Sequence, residues 1–298
     1  MKKLKLGIIG MSEGNGHPYS WSAIFNGYDL VAMGKCPFPV ILDYLSKQSF
    51  PNDTIKNATV THIWTQDISI SKKIAHASKI QNIVKNFDEM IPEVDAVLLA
   101  RDDGENHFEM ARAFIKAGLP IYIDKPLALT VAEVNKIFSL EKYENQIFSC
   151  SALSFSKELQ MSDKILKKIG KITHINAVIA KDWDKYAIHI IDPVLHMLDS
   201  VRKIETTRSI KSASQNLLSV KWENGLTANF VTLGTCPTPI TIEVYGNKGF
   251  HIFTFNDTFS AFKSTLQKFV NIVNKKDKVP NRNLTMQSIQ LLEAINYE

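Results

Sequence analysis

The chain has 298 residues, 45% hydrophobic and 22% charged, enough for two cores of ordinary size and free of any sign of disorder. Its net charge of +5 comes from lysines spread over the whole length. A nucleic-acid binder gathers such charges into a stripe with interleaved aromatics, so nucleic acid is not expected as a partner.

Cys36, Cys150 and Cys236 are odd in number, far apart and without a CxxC, so neither a zinc site nor a disulfide framework is indicated and no metal is expected. A reducing compartment, the cytoplasm, fits them best. The apolar run 4–9 is too short for a signal peptide, and no run approaches the roughly 20 residues of a membrane span.

In chain order, 4–9 reads as a buried strand ending at Gly10, followed by a loop over 11–18 rich in Gly, Ser and Asn. A helix is predicted over 19–25, a strand over 30–33 and a helix over 40–47. Strands at 60–64, 80–84, 94–100, 121–123 and 146–152 then alternate with helices at 70–78, 105–117 and 131–140. This alternation predicts a parallel, doubly wound α/β sheet. The second half differs. After a strand at 171–180, the pairs 217–222/226–232 and 241–245/250–255 flank turn residues, the pattern of antiparallel hairpins. Helices at 260–273 and 284–296 close the chain. The expected fold is a Rossmann-type doubly wound sheet over 1–126, then a C-terminal α+β domain over 127–298 with a large, mostly antiparallel open sheet. Its last helix is expected to pack back on the first domain.

Gly10, Ser12, Glu13, Gly14, Asn15, Gly16 and His17 stand between the first strand and the first helix. There a dinucleotide's pyrophosphate meets backbone N–H groups and a helix N-terminus. Strict G-x-G-x-x-G spacing is absent: Ser12 stands where the second glycine belongs, and Gly14 and Gly16 serve the third role only in a longer loop. A flexible strand-to-helix turn is the plain alternative. Asp67 is the candidate for the ribose hydroxyls, with 28–57 as an insertion before it; equally, it caps the next helix.

Two stretches carry a family likeness. Val94–Ala100 leads to Arg101-Asp102-Asp103-Gly104-Glu105-Asn106-His107, and Gly118-Leu119-Pro120 leads through 121–123 to Asp124-Lys125-Pro126-Leu127. Together they resemble the Gfo/Idh/MocA family of sugar and polyol oxidoreductases, whose Glu-Lys-Pro signature reads Asp-Lys-Pro here. The hairpin around Tyr245-Gly246-Asn247-Lys248-Gly249 and the closing stretch 284–297, with Glu293-Ala294, resemble the family too.

The resemblance implies bound NAD or NADP, with NAD slightly preferred because no clear arginine follows Asp67. It also implies a small sugar-like substrate and a homo-oligomer, dimer or tetramer. Lys125 suits the chemistry, since an ammonium at the sheet's C-terminal edge stabilises charge developing on a carbinol oxygen.

The family places a histidine at the start of a later helix, and two registers compete for it. One takes His189, with Lys185 in the usual acid position and Tyr186 before it. The other takes Asp192 and His196, with Asp199 following. Pro193 belongs in a first helical turn, which starts the helix near 190–192 and puts His189 at its mouth. His189 is therefore favoured as the acid/base, with Lys125 as partner and Asp192 as its orienter or an N-cap. His196, Lys185 and Tyr186 are left to the substrate.

Arg101, Asp102 and His107 are assigned to the cofactor and Asp103 to substrate hydroxyls, unless they merely cap the following helix. The reading is an NAD(P)-dependent dehydrogenase or reductase. The alternatives are a non-redox lyase or glycosidase with tightly bound NAD, and a ligand-binding member without turnover.

Overall fold

β1 (Leu4–Ile9) runs into a loop and then α1 (His17–Asn26). α2 (Leu30–Met33) and α3 (Pro39–Leu45) follow before β2 (Ala58–Trp64), α4 (Ile68–Ala77), β3 (Asn82–Ile83), β4 (Ala96–Leu99), α5 (His107–Ala117), β5 (Ile121–Ile123), α6 (Val131–Phe138) and β6 (Ile147–Phe148). These strands form one sheet ordered β3-β2-β1-β4-β5-β6, parallel throughout. β4 and β5 are buried at every residue, as a parallel sheet covered on both faces requires. The sequence's continuous apolar runs reflect that double cover. The computed structural model describes residues 3–198 and 201–296; Asp199, named above, and Tyr297, the end of the closing stretch, lie outside them.

The second half contains α7 (Asp163–Ile169), β7 (Ile172–Ile179), α8 (Trp183–Tyr186), α9 (Ile188–Leu198), β8 (Ile204–Lys211), β9 (Asn216–Trp222), β10 (Thr227–Thr232), β11 (Ile240–Gly246) and β12 (Gly249–Phe255), then α10 (Thr258–Val273) and α11 (Arg282–Ala294). Its sheet is ordered β12-β11-β7-β10-β9-β8, antiparallel except for β7 against β10. Burial alternates along β7, β9, β10 and β11, the mark of one covered face.

The chain crosses between its two units more than once. One unit comprises Met1–Leu127, Asn135–Ser149 and Phe262–Pro280; the other comprises Ala128–Val134, Cys150–Ala261 and Asn281–Glu298. A single cut after residue 126 misses two returns. The first brings β6 to the edge of the parallel sheet. The second is made by α10, whose Phe269 lies within 6.1 Å of the Phe148 ring and 5.8 Å of Tyr122. The helix that returns is thus α10; α11, the last, belongs to the second unit.

Two local expectations fail for identifiable reasons. Residues 30–33 are helical, not a strand, because the Asp29 carboxylate accepts the Ala32 N–H at 2.8 Å and caps a short turn. α9 begins at Ile188, so Pro193 sits inside the helix and not in its first turn. Lacking an N–H, Pro193 cannot donate to the carbonyl of His189. β8 escaped the sequence reading: it is exposed along most of its length and carries no apolar alternation.

Candidate active site

Three chain segments meet at the C-terminal edge of the parallel sheet, where the strand order reverses between β1 and β4. In doubly wound sheets this switch point is where ligands bind. The loop after β1 is fastened from several sides. The Gln66 side-chain amide holds both backbone groups of Met11, accepting its N–H at 3.0 Å and donating to its carbonyl at 2.6 Å. Arg101 adds a bond to the same carbonyl at 3.1 Å.

Ser12 and Asp102 bond reciprocally: the hydroxyl donates to the carboxylate at 2.6 Å and accepts the Asp102 N–H at 3.1 Å. The residue standing in the second glycine's place thus ties the loop to the exit of β4. A Cβ on Gly10 would overlap the Pro18 ring, and one on Gly16 would come within 2.6 Å of Phe38 and Ile41. Gly14 has φ +76° with nothing within 4 Å of where a Cβ would stand. Its backbone is open to a bulky anion, as a pyrophosphate cradle needs. Glu13 is exposed beside it.

Lys125 follows β5 and is buried, 4% exposed. Its Nζ lies 3.8 Å from Asp102 Oδ2. Asp124, 1% exposed, accepts from the Lys125 N–H at 2.8 Å, from Asn15 Nδ2 at 3.2 Å, and pairs with His17 Nδ1 at 2.6 Å. Burial pushes the Asp124 carboxyl up, but the His17 ring, with help from the Lys125 ammonium, outweighs it and holds the group below the usual carboxylate range. His17 stacks on Trp21, which stacks on Tyr122 of β5. The first turn of α1, the glycine-rich loop and the residue before Lys125 therefore form one hydrogen-bonded unit.

Other predicted residues do different work. Arg101 and Asp103 are buried and pair with each other, Nε to Oδ1 at 2.8 Å; Asn106 adds a bond to Asp103 at 2.7 Å. Burial pushes the Asp103 carboxyl up, but these bonds hold it lower than usual. With its oxygens so engaged, Asp103 is not presented to a diol, and Arg101 braces the loop. His107 is fully buried with both ring nitrogens on backbone carbonyls, Leu127 at 3.0 Å and Arg101 at 2.9 Å. It fastens the exit of β4 to the Lys-Pro segment and makes no surface for a cofactor. Asp67 is exposed and caps α4, accepting the Ser69 N–H at 2.7 Å, which holds its carboxyl low.

In the second unit, the Nδ1 of His189 faces Ser151 Oγ at 2.8 Å. The Ser151 N–H donates to Asp192 Oδ2 at 2.7 Å. Asp192 is buried, and burial raises its carboxyl pKa despite His196 and Ser151. The Asp192 oxygen therefore goes to a backbone N–H, and it is a serine, not the expected aspartate, that meets His189 Nδ1. His196 Nδ1 donates to the Asp192 carbonyl at 2.9 Å, while its Nε2 is buried without a partner. That is the pattern of a core histidine. Tyr186 lies 6.0 Å from His189, ring to ring, and its hydroxyl takes the Lys181 ammonium at 2.7 Å. Lys185 is half-buried, its N–H capped by Asp182 at 3.0 Å.

Ser151, Gln66 and Asp124 were missed as site residues. Asp124 had a signal, its place before Lys125; the other two had none, since nothing local distinguishes one loop serine or glutamine from another. Among the described residues, no group of three His, Cys, Asp or Glu side chains is arranged to hold a metal ion, and no helix is long and apolar enough to cross a membrane.

The fold and the fastened loop define a class: a doubly wound nucleotide-binding domain joined to a one-face sheet domain. Residues 46–151 match the model of the oxidoreductase family GFO_IDH_MocA, with an NAD-binding Rossmann fold, and over this stretch the chain is similar to that family. No curated protein matches it in sequence. Among solved structures, scyllo-inositol dehydrogenase from Lactobacillus casei superposes with a TM-score of 0.75 at 15% identity, over 99% of this chain and 95% of that one. Levoglucosan dehydrogenase in complex with NADH and levoglucosan gives 0.75 at 14%, over 99% and 96%. Biliverdin reductase from Synechocystis sp. PCC 6803, with biliverdin and NADP+, gives 0.70 at 14%, over 98% of both chains. At these identities the likeness is one of fold.

Proposed function

We propose that this chain is an NAD(P)-dependent dehydrogenase or reductase that interconverts a hydroxyl and a keto carbon of a sugar, sugar nucleotide or polyol. The observation that carries the reading is the buried Lys125 ammonium, 3.8 Å from Asp102 at the switch point, beside a glycine-rich loop whose Gly14 backbone is open. The loop fits a dinucleotide: Gly10 and Gly16 let it pack closely against Pro18, Phe38 and Ile41, Gly14 leaves its backbone open, and Ser12 and Asn15 turn their side chains to Asp102 and His17. NAD is preferred over NADP, since the one acid at the exit of β2, Asp67, would repel an added phosphate.

When bound, nicotinamide takes up or gives back the hydride. Lys125 hydrogen-bonds the carbinol oxygen and stabilises the negative charge that grows there as its proton leaves. Asp102, 3.8 Å from the ammonium, holds it in place. His189 accepts that proton in oxidation and returns it in reduction, a role that calls for a group titrating near neutrality. The levoglucosan and scyllo-inositol dehydrogenases that share the fold support a polyhydroxylated substrate.

Lys125→Met removes the ammonium and keeps the bulk. It is expected to lower kcat by roughly 10²–10⁴-fold while NADH still binds with unchanged fluorescence. The variant turning over a panel of polyols as fast as the parent chain would end the proposal. A cytoplasmic location and a homo-oligomer are part of the same reading. Sedimentation velocity at two loading concentrations tests the latter, and a monomer at both would remove it.

A further inference from the structure

We propose that Ser151 is the positioning residue of His189, holding its imidazole in the tautomer whose Nε2 exchanges the substrate proton. The inference rests on the reading of His189 as the acid/base. The family register puts Lys185 where an acid is usual, and a lysine ammonium cannot accept a bond from an imidazole N–H. Ser151 supplies the missing acceptor from another part of the chain: its Oγ is 2.8 Å from His189 Nδ1.

Ser151 is itself fixed. It is fully buried, its N–H is held by Asp192 Oδ2 at 2.7 Å, and its Oγ also accepts the Leu153 N–H at 3.3 Å. One lone pair of that oxygen remains for Nδ1–H. For Nε2 to accept a proton, Nδ1 must already carry one, so the bond runs from Nδ1–H to Ser151 Oγ in both the neutral and the protonated ring. It strengthens when the ring is charged. Ser151 therefore does two things: with its remaining lone pair it accepts the Nδ1–H of the tautomer that leaves Nε2 open, and it favours imidazolium.

The helix that carries His189 and the one before it bring several charged and titratable groups, Asp184 on α8 among them. On α9 are Asp192, buried, and His196, a turn deeper; on α8 are Tyr186, with Lys181 on its hydroxyl, and Lys185. Removal of the Ser151 hydroxyl alters none of these. The backbone N–H that binds Asp192 survives in Ser151→Ala, so that variant deletes one side-chain oxygen only.

The test is the pH dependence of kcat/KM for polyol oxidation with full-length Ser151→Ala, Ser151→Thr and His189→Ala, alongside NADH affinity. Ser151→Ala is expected to lose about tenfold in kcat, the worth of one hydrogen bond, with NADH affinity unchanged. Its acidic limb should move to lower pH, because imidazolium has lost its acceptor. Ser151→Thr, which keeps the oxygen, should restore both. His189→Ala losing activity while Ser151→Ala keeps the parental rate and pH profile overturns the inference alone. His189→Ala retaining full activity overturns the underlying reading instead. A Ser151→Ala chain with an unmoved pH limb but a lowered melting temperature shows a structural serine, which also overturns the proposal.

Discussion

Asp124 and His17 show how much a single position can carry. The carboxylate is 1% exposed and takes bonds from His17, Asn15 and the Lys125 backbone. With its folded pKa depressed, its stabilising contribution is complete above the unfolded carboxyl value of about 3.9. That contribution is lost as pH falls through the still lower folded value. Asp124→Asn keeps the shape and removes the charge, leaving the His17 ring without its anion. At neutral pH the variant should be less stable by roughly 1–3 kcal/mol. Urea unfolding at pH 7 and at pH 3 checks this. The gap between the two chains should narrow in acid, where the parent's carboxylate is itself being protonated. A gap of the same size at both pH values would show that the loss is one of packing, not of the carboxylate's charge.

At the scale of elements, the sequence was informative wherever burial imposes a period. β4, β5 and β1 from Leu6 on are apolar on both faces, and β7, β9, β10 and β11 alternate; both patterns are visible without coordinates. The failures fall where local chemistry or pairing competes with pattern. At 30–33 an Asp29 cap outweighed the strand preference of Leu-Val-Ala-Met. β8 forms because β9 offers it an edge, not because Thr206, Thr207 and Arg208 bury anything. The site divides in the same way. Lys125, Gly10 and the loop up to His17 were legible because a strand, a turn and a helix frame them. Asp103 and His107 looked available only because the sequence cannot show that Arg101 and two carbonyl oxygens already occupy them. Ser151 was invisible for the opposite reason: its partner lies 38 residues away.

For the whole molecule, the two sheets divide the labour. The parallel sheet, covered on both faces, fixes three loops at its C-terminal edge through Ser12–Asp102, His17–Asp124 and Gln66–Met11. All three contacts lie within one compact unit. A ligand held by that edge stabilises this unit directly, since it binds the folded loops and not the unfolded chain. Saturation with NADH at about a hundred times its Kd should therefore add about 2.7 kcal/mol to that unit's stability. Scanning calorimetry reads the gain as an upward shift of the transition in which the parallel sheet melts. Lys125→Met should keep the shift, because its ammonium serves the reacting oxygen and not the diphosphate. A melting profile indifferent to both NADH and NADPH would mean that the fastened loop is a plain strand-to-helix turn. The dinucleotide, and every step that depends on it, would then have to be given up.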